Sequence, residues 1–193
     1  MQVPRILLVG LGNIPYPNTR HSVGHLVVDS LAARLGARLT NGNGPAEGFF
    51  AQTSSELNGQ PVDLALYKPM ALMNVLGHQV AKVRRATVPS TASMIVIHDD
   101  LNLTPATVKR KFGGSPSGHR GVRSVLSKVQ SEPFHRLQIG IGRRGDAKEY
   151  VLGRLDAFER EFWGPNGEGI DLVWEQIIKI HLDILRALKN SDE

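Results

Sequence analysis

Cysteine is absent from the 193 residues. Its absence excludes disulfides, thiolate nucleophiles and cysteine-based metal or iron–sulfur centres, and it leaves the redox compartment open. Long apolar runs are also missing: no stretch approaches the roughly 18 residues of a membrane span. The opening "MQVPRILLVGLGN" carries neither a small-residue cleavage site nor an Arg/Ser-rich leader. These absences predict a soluble protein without a membrane partner, and a monomer is the expected state. Its expected place is the cytoplasm, or a mitochondrion if a leader precedes Met1. Internal repeats and low-complexity tracts are lacking too, and the soft stretches 40–48, 113–121 and 163–169 are short enough to be loops. Acidic residues are missing from "TVKRKFGGSPSGHRGVR", which holds Lys109, Arg110, Lys111, Arg120 and Arg123. With a net charge of +5, that local excess points to a polyanionic partner.

What is present is a 41% hydrophobic chain of a length suited to one domain, residues 1–193. Short apolar runs alternate with helical patterns. "RILLVGL" (5–11) and "SMIVIHDD" (93–100) predict buried strands ending in polar residues. "FFAQTSSEL" and "PVDLALYKP" flank Asn58-Gly59, a hairpin signal. "ATVKRKFGG" and "HRLQIGIGR" are further strand candidates, and helices are expected at 22–35, 73–86, 119–130 and 167–189. The pattern predicts an α/β fold: a single-domain, mixed, mostly parallel β-sheet with helices on both faces. In such a sheet the polar strand ends form the expected site.

Each polar candidate has a structural reading beside the chemical one. "VGLGN" lacks the G-x-G-x-x-G fingerprint of a dinucleotide loop, which leaves Asn13 at a strand end, either closing a turn or bonding a substrate carbonyl. His21 stands just before a helical pattern of Val27, Val28, Leu31 and Leu35, as a cap or facing a cleft. Met73 and Asn74 open the next expected helix, where Asn is a good N-cap. Asp99 and Asp100 follow His98 in a strand, so they point to opposite faces, which argues against a shared metal. One of them can instead orient a histidine. His119 is flanked by glycines at a loop-to-helix junction. Together Asn13, His21, Asn74 and Asp99 suit hydrolysis of an activated acyl bond with no metal and no cofactor. The residues alone lead no further than a hydrolase or a phosphate-binding domain.

Five ordered motifs carry a resemblance: "GLGN…TRHS.G", "KP…MN..G", "HDDL.L", "GG…GH.GVRS" and "RL.IGIGR". In order and spacing they resemble the bacterial-type peptidyl-tRNA hydrolases over about residues 6 to 155. The wording of "GGSPSGH" and "GHRGVRS" is similar to that of eukaryotic, fungal members. The resemblance implies cleavage of the ester between a peptide and the tRNA 3′-terminal ribose, recycling tRNA. It implies His21 as the catalytic histidine paired with Asp99. Asn13 and Asn74 then position the peptidyl moiety and polarise the scissile carbonyl. Tyr16, Met73 and His119 line the peptide and 3′-end cleft, Arg120 joins the substrate-binding set, and Lys109 and Lys111 face the tRNA acceptor arm.

Several positions depart from the family pattern. "NIPY" is about two residues shorter than "NPG..Y", Ser22 follows the histidine in place of the common asparagine, Arg120 replaces an asparagine of the cleft, and Gln138 stands where many members carry a phosphate-gripping arginine. The alternative reading is a non-catalytic RNA-binding relative of the splicing type on the same fold, which Arg120 suits. A binder has no need of the whole His/Asp/Asn/Asn set.

Overall fold

The structure is a computed structural model describing residues 3–42 and 47–191. Seven strands form one sheet: β1 (Arg5–Gly10), β2 (Thr40–Gly42), β3 (Gly48–Leu57), β4 (Gln60–Pro69), β5 (Met94–Asp100), β6 (Val108–Phe112) and β7 (His135–Gly140). Their order is β2-β3-β4-β1-β5-β7-β6. The central four, β4, β1, β5 and β7, are mutually parallel, while β2–β3, β3–β4 and β6–β7 pair antiparallel. Only β3 and β6 run against the rest, so the expected mixed and mostly parallel sheet is present.

Alternation along the central strands builds two cores, as a sheet covered on both faces requires. Ile6, Leu8, Ile95, Ile97, Leu137 and Ile139 face α1 (Val23–Arg34) and α6 (Glu168–Ser191). Leu7, Val9, Met94 and Val96 face α2 (Gly77–Thr87) and α3 (Arg120–Lys128). The Asn58-Gly59 turn has positive φ at both residues, 52° and 74°, which joins β3 to β4 in the tight turn that the dipeptide predicts.

Three expectations about the elements need correction. The second helix begins at Gly77 and not at 73, because residues 73–76 form turns whose end is tied to α3 by the Gly77 N–H donating to Ser124 Oγ at 2.9 Å. Two short helices, α4 (Ala147–Leu152) and α5 (Ala157–Phe162), were not expected at all. Their signal was present in "DAKE" and "DAFE": Asp146 and Asp156 cap the two helices, and Asp156 and Glu159 close a reciprocal capping box. Finally, Thr40–Gly42, read as loop, pairs with β3, while 43–46 of that stretch lie outside the described residues.

The glycines of "VGLGN" serve helix packing. A Cβ on Gly10 would lie 2.2 Å from the Gly24 carbonyl oxygen, and one on Gly12 would lie 2.5 Å from the His25 ring. A Cβ on Gly24 would meet the Ile97 carbonyl oxygen at 2.3 Å and the Leu11 oxygen at 2.6 Å. Helix α1 therefore lies directly against the carboxyl ends of β1 and β5, a distance that only glycine permits. Gly24→Ala should force that contact apart and lower stability by about 1–3 kcal/mol, the usual cost of overpacking. Urea denaturation checks it; an unchanged midpoint means that the helix gives way without strain.

Candidate active site

Strands β1 and β5 are neighbours, yet the chain adds β4 on one side of the pair and β7 on the other. This reversal opens a crevice beyond their carboxyl ends. A cavity of about 580 Å³ lies there, and Asn13, His21, Met73, Asn74, Asp99, His119 and Arg120 all line it.

His21 sits in a 3-10 turn, Arg20–Ser22, immediately before α1. Its neighbours hold that turn from both sides. The Arg20 guanidinium forks onto Glu159 (Nε to Oε1 2.9 Å, Nη2 to Oε2 2.8 Å) and lies 4.6 Å over the Tyr150 ring. Ser22 Oγ accepts from the Asn13 N–H at 3.0 Å and donates to the Tyr16 carbonyl at 2.9 Å. The shortened Asn13–Tyr16 loop is thus closed by Ser22 itself. His21 is thereby presented to the cleft with one imidazole edge fixed.

That edge meets Asp99. His21 Nδ1 lies 2.9 and 3.0 Å from the two carboxylate oxygens, and His119 Nε2 lies 2.9 Å from Oδ1. Burial opposes the charge on Asp99, but the two histidines outweigh it and hold the carboxyl well below the usual carboxylate range. Burial also opposes a proton on His21, and the Arg120 charge adds a smaller opposition. The Asp99 charge and hydrogen bond prevail, raising His21 above its ordinary 6.5.

The tautomer of His119 follows from its other nitrogen. Nδ1 accepts the backbone N–H groups of Gly121 (3.1 Å) and Val122 (3.2 Å), capping α3. An imidazole that accepts at Nδ1 carries its hydrogen on Nε2. His119 therefore donates to Asp99. This bears on metal binding, since one ligand atom each of His21, Asp99 and His119 lie within 4.8 Å of one another, a set that resembles a metal site. Ligation through His119 Nε2 requires the hydrogen on Nδ1, where two backbone donors already point. The cap favours a hydrogen-bonded relay over a cation.

His98 supports the relay from behind. Its Nδ1 lies 2.7 Å from the Asp99 carbonyl, its ring stands edge-on to His119 at 4.7 Å, and burial lowers it to about 3, so it stays neutral. Asn13 is buried, and its Oδ1 accepts from the Met73 N–H at 2.8 Å. That bond turns the amide NH₂ toward the cleft. Asn74 caps nothing: it lies in the turn before α2, exposed, with no hydrogen bond on its side chain among the described residues. Both asparagines are left with amide donors for a ligand. Met73 is buried beneath them, against the position that a Gly121 side chain would occupy.

Asp100 points away from Asp99, as strand alternation requires. It accepts from Gln138 Nε2 and, at 2.8 Å, from the Asn102 N–H. Lys109 pairs with Gln138 and Lys111 with Arg136 across β6–β7, which puts both lysines on one face of the sheet edge. Arg110 faces the other way and reaches Asp183 of α6 at 2.6 Å. The lysines flank the cleft without lining it. Tyr16 does not line it either: its side chain is 54% exposed, and only its carbonyl takes part, bonded by Thr19 and Ser22. Sequence reasoning missed Ser22 as the loop's closure and Arg143, Lys148 and Leu152 as parts of the cleft wall. The "DAKE" cap was the available signal for the last three.

Comparison with known proteins identifies the family. The family model described as peptidyl-tRNA hydrolase matches residues 7–187. A peptidyl-tRNA hydrolase of Mycobacterium marinum is 40% identical over 164 residues, covering 80% of this chain and 81% of its own length. One from Bifidobacterium animalis subsp. lactis is 36% identical over the same shares. A point variant of peptidyl-tRNA hydrolase from Acinetobacter baumannii superposes with a TM-score of 0.75 at 29% identity, covering 93% of this chain and 90% of that one. The chain belongs to the peptidyl-tRNA hydrolase family.

Proposed function

We propose that this cleft hydrolyses the ester between a peptide and the 3′-terminal ribose of tRNA with His21 as general base and no metal. The observation that carries this reading is the buried Asp99 carboxylate bonded to His21 Nδ1. That bond keeps hydrogen on Nδ1 and leaves Nε2 as a lone pair able to take a proton from an attacking water. As the proton arrives, the imidazolium is stabilised by the carboxylate charge. The free amide groups of Asn13 and Asn74 donate to the carbonyl where negative charge develops, a role typically worth ~10²–10³-fold per donor. The partner in this reading is the acceptor arm and 3′ end of tRNA, with Lys109 and Lys111 gripping phosphate beside the cleft. One chain supplies every residue named, so a monomer in the cytoplasm suffices. A purely RNA-binding role has no use for a carboxylate shared by two imidazoles.

His21→Ala should lower kcat/KM for N-blocked aminoacyl-tRNA by ~10²–10⁴-fold while the fold persists. Because the base must be neutral, wild-type kcat/KM should fall as the pH drops through a value above 6.5. Asp99→Asn removes the groups that raise His21 and leaves burial and Arg120, which lower it. Its acid limb should therefore move to lower pH, with a reduced plateau because the neutral amide, whose oxygen can still accept from the histidines, no longer stabilises the imidazolium. A limb that stays in place removes Asp99 from this role.

Chelation by EDTA should leave the rate unchanged, since the His119 cap competes with ligation. Loss of activity that one divalent ion restores overturns the metal-free reading. Lys109→Ala should weaken tRNA binding and flatten the plot of log K against log salt by roughly 0.7 to 0.9, the contribution of one phosphate contact. An unaltered slope places the grip on another face.

A further inference from the structure

Arg5, Arg20, Arg34, Lys68, Arg110 and Arg186 each pair with an Asp or Glu. The cations of the cleft have no such partner among the described residues. Arg120, the first residue of α3, lines it with an exposed side chain that has no hydrogen bond or ion pair among the described residues. Arg143 and Lys148, on the segment that leads into and forms α4, line the same cavity and are equally unpaired. Neither carboxylate of the cleft forms an ion pair with them: Asp99 accepts from His21 and His119, and Asp100 from Gln138 and the Asn102 N–H. An anion site therefore surrounds the reacting centre itself.

Of the three unpaired cations that line the cleft, Arg120 is the one that adjoins a residue of that centre, His119, and its charge opposes a proton on His21. The helix amides beside it contribute nothing to an anion, because Gly121 and Val122 already donate to His119. The guanidinium is what remains for a ligand. In an ester of the 3′-terminal nucleoside, the nearest formal charge on the RNA side of the scissile bond is that nucleoside's own 5′-phosphate.

We propose that Arg120 binds the phosphodiester between the last two nucleotides of the substrate and so registers the ester against His21. The proposal rests on the hydrolase reading above. It assigns to Arg120 a contact that a guanidinium makes well, since its planar fork matches two phosphate oxygens. It also gives a reason for an arginine beside His119: the residue reads the RNA side of the bond, while Asn13 and Asn74 face the carbonyl.

Two small substrates separate this contact from the chemistry. One is the N-acetyl-phenylalanyl ester of adenosine, without phosphate; the other is the same ester of cytidylyl-(3′–5′)-adenosine, with one phosphodiester. Wild-type kcat/KM should favour the dinucleotide ester by roughly ten- to a hundredfold, the scale of a charged hydrogen bond. In Arg120→Gln, with its fold verified by circular dichroism, that ratio should collapse to within about twofold. Arg120→Lys, which keeps the charge and loses the fork, should retain an intermediate ratio. Full retention of the dinucleotide advantage in Arg120→Gln overturns the proposal, as does a wild-type enzyme that cleaves both esters equally. A folded wild-type protein that cleaves neither ester overturns the hydrolase reading, and the proposal with it.

Discussion

A single buried carboxylate organises this end of the molecule. Asp99 is 3% exposed at the close of β5, and an ion placed there costs several kcal/mol unless donors replace the water it has lost. The donors come from two distant pieces of chain, the 3-10 turn before α1 and the loop before α3. Each must arrive within hydrogen-bonding distance, and each is itself secured: His21 by the Arg20–Glu159 fork beside it, His119 by the amides it caps. The arrangement makes the carboxylate strongly acidic and the His21 imidazole more basic than usual, which is the division of labour that ester hydrolysis by water needs.

Steric economy makes these approaches feasible. Gly10 and Gly24 let α1 touch the ends of β1 and β5, so that the turn carrying His21 overhangs Asp99. On the opposite face Gly77 meets the Ser124 backbone, and Gly121 leaves room for Met73, whose N–H orients Asn13. Glycine acts here through the absence of a Cβ at backbone contacts. A side chain closes the Asn13–Tyr16 loop: Ser22 Oγ accepts from the Asn13 N–H and donates to the Tyr16 carbonyl, while the Tyr16 side chain is exposed.

Charge is distributed unevenly across the cleft. Gln138, uncharged, consumes Asp100 without adding a cation, and the lysines of β6 lie to the side on the face that Gln138 and Arg136 share. Arg120, Arg143 and Lys148 leave the mouth positive. Unpaired cations thus lie at two levels, one at the sheet edge and one within the cleft.

Much of this was legible in the sequence, and the legible part is local. The short unbroken apolar runs of "RILLVG" and "MIVIHDD" specify buried strands because both faces of the central sheet meet a core. Asn58-Gly59 specifies its turn because both residues tolerate positive φ. The opposed directions of Asp99 and Asp100, and the shared face of Lys109 and Lys111, follow from side-chain alternation along a strand. The capping signals of α4 and α5 were equally local and went unread. What only the tertiary structure decided is the direction of each hydrogen bond. His21 and Asp99 are 78 residues apart in the chain, and Asn13 and Met73 are 60 apart. No spacing states which imidazole nitrogen carries its hydrogen, which end of an amide faces the cleft, or whether a glutamine at 138 meets substrate or an aspartate. Those choices belong to single atoms, and they are made by whichever partner folding brings within 3 Å.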